Sequence, residues 1–147
     1  MFNLIITIIS IALVVAMAAA AVYYGGSAFT QGTAKANAAT LVTQAQQING
    51  AITLYKNDNG GTAPLVMADL VDDYLQNAPV PGSAGADGSP GWVLSADSNT
   101  TFATVTVKGA EVCTQINVAS GHDGASTSVD DAVYGCETAT LKMTYKN

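Results

Sequence analysis

Two different hydrophobic patterns follow one another along the chain. From Met1 to Tyr24 it reads MFNLIITIISIALVVAMAAAAVYY, and before Tyr23 only Asn3, Thr7 and Ser10 are conventionally polar. A helix that is apolar all round belongs in lipid or among other helices. At about 1.5 Å rise per residue this block extends about 36 Å, enough for a hydrocarbon core of about 30 Å. Tyr23 and Tyr24 then stand where interfacial aromatics sit. Gly25 and Gly26 come next, each lowering helix propensity by about 1 kcal/mol relative to Ala, so the helix is expected to end, bend or locally unwind there. Beyond them the pattern turns amphipathic. Leu41, Ala45, Ile48, Ile52 and Tyr55 recur at spacings of four, three, four and three, which is one helical stripe, while Gln44, Gln46, Gln47 and Asn49 are expected to face elsewhere. Asn57-Asp58-Asn59-Gly60-Gly61 stops the helix with residues that tolerate left-handed backbone. The expectation is one long helix, interrupted or not, from near Met1 to about Asn57.

The remainder carries shorter signals. Met67, Leu70, Val71, Tyr74 and Leu75 alternate with Asp69, Asp72 and Asp73 in a way that predicts a short helix from about Val66 to Gln76. The stretch 77–91, NAPVPGSAGADGSPG, holds three of the four prolines and reads as a loop. Strands are predicted at Trp92–Ala96, at Thr101–Lys108 with Ala103, Val105 and Val107 on one face, and at Thr138–Tyr145 with Ala139, Leu141, Met143 and Tyr145 on one face. Asp97-Ser98-Asn99 is a predicted turn. Ala110–Ala119 suits a short helix, and Gly121–Gly135 a second loop. The expected fold class is α+β: a long helix lending its apolar stripe to a small antiparallel sheet. The division that follows is 1–26 for the hydrophobic helix, 27–57 for the amphipathic helix and 58–147 for a globular head.

Charge sharpens the first pattern. The chain has 147 residues and a net charge of −6, and charged residues are 11% of it, against about 25% in soluble domains. The first charged residue is Lys35. An ordinary soluble enzyme does not begin with such a block, and a hydrophobic fraction of 49% excludes a disordered chain. A pI near 4.2, with Lys as the only strong base, argues against a nucleic-acid surface. A cleavable secretory signal would need a positive start, which is missing, although Ala18–Ala21 resembles a cleavage site. A membrane anchor would also carry a basic flank, so the expectation is that Met1 is not the primary translation start and that a basic leader was removed. Asn3, Thr7 and Ser10 share one helix face, which Ala18 and Ala21 extend past Val14. Such a face either packs closely on other helices or merely bonds its own backbone.

Candidate chemistry is sparse. Cys113 and Cys136 are the only two cysteines. Pairing them closes a loop worth about 3–3.5 kcal/mol in the chain-entropy model; the alternatives are two reduced thiols or a metal pair, and a metal would want further ligands. The single histidine, His122, lies in a Gly-His-Asp-Gly turn. Asp72-Asp73 and Asp130-Asp131 read as solvated surface acids. Calcium at Asp87, Asp97, Asp123, Asp130 or Asp131 lacks a full ligand spacing. Asn99-Thr100-Thr101 fits a glycosylation sequon, or simply a turn. No nucleophile has a partner, so neither an enzyme nor a cofactor is expected.

The order of these parts resembles a type IV pilin, closest to the type IVb subclass including plasmid-type pilins. The residues that carry it are the uncharged N-terminal helix starting at Met1, the amphipathic continuation through QQINGAITLY, and the cysteines in EVCTQIN and YGCETATLKMTYK. The resemblance implies a basic leader cut by a prepilin peptidase, with N-methylation of Met1. It also implies a stay in the inner membrane and then assembly, by the pilus machinery, into an extracellular helical homopolymer. Asn3, Ile5, Thr7, Ser10, Val14, Ala18 and Ala21 would lie in the filament core, and the two cysteines would bracket the D-region. No nucleic acid is expected along the shaft. Two positions depart from the family. Ile5 stands where a glutamate normally meets a neighbour's N-terminal amine, and Val22 stands near the usual helix-breaking proline. The amine would have to be neutral, solvated, or met by backbone carbonyls, Asn3 or Thr7, and Gly25-Gly26 would supply the flexible point. The expected function is a major pilin; a minor pilin, a secretion pseudopilin or a membrane-anchored surface-binding protein are the alternatives.

Overall fold

The computed structural model describes residues 2–97, 100–124 and 132–147. The element order is α1 (Phe2–Asp58), β1 (Val93–Asp97), β2 (Thr100–Thr106), α2 (Ala110–Ala119), β3 (Tyr134–Glu137) and β4 (Lys142–Lys146), with 3-10 turns at Met67–Asp69 and Gly82–Ala84. By contacts the chain forms two compact units, Met1–Thr33 and Ala34–Asn147. The fold is the expected α+β arrangement, a long helix packed on a small antiparallel sheet and one disulfide.

In the first unit every described side chain is exposed. The helix does not end at Gly25 and Gly26: both lie inside α1, and a Cβ added at either would meet nothing within 4 Å. The unwinding allowed by their low propensity is therefore absent here, because continuous i→i−4 bonding on both sides carries the helix through.

In the second unit the stripe predicted on α1 is the buried one. Leu41, Ala45, Ile48 and Ile52 are fully or almost fully enclosed, and Tyr55 packs against the same cluster. The sheet order is β1-β2-β4-β3, antiparallel throughout. Register aligns Leu94, Ala103, Tyr145 and Tyr134 in one lateral row, and Val105, Met143 and Cys136 in the next. These rows, with Val107, meet the α1 stripe and the inner side of α2, Val112, Cys113 and Ile116, in one core. Ring stacking of Tyr134 on Tyr145, centroids 5.8 Å apart, closes the first row at the sheet edge.

Four local expectations need correction. No helix forms over Val66–Gln76. The Asp69 carboxylate accepts the Leu65 and Val66 amides at 3.0 and 3.1 Å, which ties the segment into a 3-10 turn, and Asp72 adopts φ 80°, a left-handed step that no α-helix accommodates. The buried Leu70 pins this turn, its carbonyl accepting from Leu75 at 2.7 Å. The strand predicted over Thr138–Tyr145 begins only at Lys142. Residues 138–141 are the reversal between β3 and β4, and Leu141 turns at φ 52° while packing on the core. The predicted loop Gly121–Gly135 ends early, because Tyr134 and Gly135 belong to β3. Trp92 precedes β1 rather than opening it, yet is buried. Ser98, Asn99 and residues 125–131, with the turn, the sequon asparagine and the Asp130-Asp131 pair they contain, lie outside the described residues.

Candidate functional site

The first candidate is the apolar part of α1. Its most apolar 18-residue window has a mean hydropathy of 2.8 and is 0% buried, so the helix is long and apolar enough to cross a membrane. At about 100° per residue, Asn3, Thr7, Ser10, Val14, Ala18 and Ala21 fall within a sector of about 80°, so the helix brings these together. Ile5 lies about 200° round from Asn3 and does not join them. The Thr7 hydroxyl donates to the Asn3 carbonyl at 2.7 Å and the Ser10 hydroxyl to the Ile6 carbonyl at 2.8 Å. Thr30 and Thr33 do the same to Gly26 and Phe29. Each hydroxyl is thus satisfied by its own helix, and what the face offers outward is mostly carbon. Met1 lies outside the described residues.

The second candidate is the disulfide-closed region. Cys113 and Cys136 are bonded, with Cα atoms 5.2 Å apart and 23 positions of separation. The backbone of Cys136 points away from the sheet, as the ladder dictates. Thr101 and Asn147 exchange both backbone bonds, at 3.4 and 2.9 Å. Alternate residues of β4 therefore bond β2, and Met143 is one of them. Its partner across β3, Cys136, is left with both groups facing the outer edge. One α-helical turn after Cys113, Asn117 takes them: its amide accepts from Cys136 N at 2.7 Å and donates to Cys136 O at 2.9 Å, with the side chain 1% exposed. Sequence reasoning missed Asn117. Its one signal was a polar residue next to Ile116 on a helix read only for its apolar positions.

Gln44 was also missed, having been expected to face away. It accepts from the Trp92 indole at 2.9 Å and donates to the Val80 carbonyl at 2.8 Å, pinning the proline-rich loop onto α1. Its position beside the Leu41–Ala45 stripe was the available clue.

Polar chemistry in the head is modest. His122 Nδ1 lies 3.1 Å from the Ser120 hydroxyl, which also donates to the Asn117 carbonyl. Lys108 and Asp87 pair at 3.6 Å, both well exposed. Among the described residues no three His, Cys, Asp or Glu side chains gather into a metal site. Tyr74 donates to Asp58 at 3.1 Å and meets Tyr55 edge-on. Desolvation, that hydrogen bond and the negative fields of Asp58 and Asp73 raise its pKa above the usual tyrosine value. A groove of about 460 Å³ runs between α1 and α2. It is floored by Ala38, Ala39, Val42, Val118 and Ala119, with Lys35 at its rim.

Fold and site together define a class: an α+β head with a disulfide, on a chain whose N-terminal helix is apolar and exposed. Comparison with protein-family models, with curated proteins and with solved structures finds no match.

Proposed function

We propose that the chain is the repeating structural subunit of an extracellular type IV pilus, a major pilin of the type IVb kind. The observation that carries this reading is the exposure of every described side chain over residues 2–33. The apolar part of that surface, from Phe2 to Tyr24, is stable only in lipid or against other apolar helices. A subunit held in the inner membrane through this helix, then drawn into a bundle of identical helices, meets both conditions in turn. The disulfide-closed head suits an oxidising, extracellular setting. In this reading the prepilin peptidase frees and methylates Met1. Asn3, Thr7, Ser10, Val14, Ala18 and Ala21 form the small-residue face toward neighbouring helices, Ile5 takes the place of the family's acid, and Gly25-Gly26 act as the flexible point.

The test is composition. Filaments sheared from cells and analysed by mass spectrometry should consist mainly of this chain, with an N-methylated first residue. A trace amount within filaments of another subunit would instead identify a minor pilin or a pseudopilin, the reading favoured by Ile5. Monomers in detergent, with no filaments by electron microscopy, would identify a membrane-anchored binding protein.

A further inference from the structure

We infer that the groove between α1 and α2 is the docking site for the acidic far end of α1 from a second copy of the chain. This inference rests on the filament reading. The groove is apolar, and Val118, 56% exposed, stands open beside Val42. At its rim, Lys35 makes no ion pair with any described residue, in a chain whose net charge is −6. The opposite chemistry lies at the other end of the same helical segment. Leu54, 56% exposed, and Asp58 are four residues apart and share a face of the last turns. Tyr74, bonded to Asp58, brings Asp73 to the same place. One end therefore offers an apolar groove rimmed by a cation, and the other an apolar knob rimmed by carboxylates.

The spacing fits repetition. Lys35 and Asp58 are 23 residues apart within α1, about 35 Å of helix. They lie about 140° apart around the helix axis, so they belong to different patches. A contact between them is heterologous and extends from copy to copy instead of closing a dimer. Repeated along a filament, it also sets each head's cation against its neighbour's carboxylates. That relieves the repulsion that stacking heads of charge −6 would otherwise meet.

Cells producing a mixture of unlabelled and nitrogen-15-labelled full-length chain, treated with a carbodiimide, provide the test. That reagent joins an ammonium to a carboxylate in direct contact. Peptides linking Lys35 of one isotope to Asp58 or Asp73 of the other are expected. Lys35→Glu should reduce sheared filament by about tenfold, as should Asp58→Lys with Asp73→Lys, and the combined variant should recover to within about twofold. Lys35 linked elsewhere or to another protein, or Lys35→Glu assembling like the parent, would overturn the docking and leave the filament reading standing. Linked copies in membranes without filaments by electron microscopy would uphold the docking and remove the filament reading.

Discussion

The carboxamide of Asn117 stands in for a neighbouring strand at the outer edge of β3. It occupies both outward groups of Cys136 and so blocks pairing with another chain at the middle of that edge. Replacing it by leucine keeps the branched shape, with slightly more bulk, and leaves a buried N–H and C=O unpaired. Asn117→Leu should lower stability by about 3 kcal/mol with the disulfide intact, read from urea melts of the full chain; a loss below about 0.5 kcal/mol would reject the edge-capping role. Tyr74 offers a pH test. Its folded pKa is raised above the ordinary 10.0, so its contribution is fully present below that value and is lost as pH rises through the raised one. The contact with Asp58 should thus be unaffected at neutral pH and open only in strong alkali. In an ultraviolet titration, the tyrosine missing from Tyr74→Phe should be among the last to ionise; an early-ionising Tyr74 would contradict the assigned environment.

Among the elements, the helical patterns of α1 and α2 and the first two strands are found close to where expected, β1 at Val93–Asp97 and β2 at Thr100–Thr106. The α1 stripe and the α2 span, Ala110–Ala119, follow from 3.6-residue spacing that no alternative pairing disturbs. The last two strands fared differently. YGCE gives too brief a pattern to show a strand, and TATLKMTY alternates through what is in fact a turn, because the pairing of Cys136 with Met143 decides where the chain reverses. Gly25 and Gly26 belong at this scale too. Both are helical with open space around them, so leucine at both sites would gain about 1.5–2 kcal/mol of helix propensity. If the pair gives a filament its extensibility, Gly25→Leu with Gly26→Leu should yield filaments that stretch less under an optical-trap load or fail to form. Equal extension would dismiss that role.

At the scale of the molecule, the two units have different needs. The head holds a core of its own, and its disulfide joins α2 to an edge strand across 23 positions. Cys113→Ser should cost the head about 3–3.5 kcal/mol if loop closure dominates, and lower the amount of subunit in cells. A variant melting at the same denaturant concentration as the parent would show that Asn117 and the core hold β3 without the bridge. The N-terminal unit has no core to lose. Its apolar side chains find cover only outside the chain, which is why a structural role among copies is proposed from its surface and not from any pocket.

The sequence by itself determined the long helix, its change from apolar to amphipathic and the α+β class. Each is fixed by local periodicity, whereas the two cysteines could have been a bridge, free thiols or a metal pair until the fold brought them together. Only the tertiary structure decided the strand order, the β3–β4 reversal, the turn that replaced the Val66–Gln76 helix, the burial of Asn117 and the bonding of the half-buried Gln44 to Trp92 and Val80. Those outcomes depend on contacts between residues far apart in sequence: a polar side chain reads as solvent-facing until a distant backbone or indole arrives to meet it.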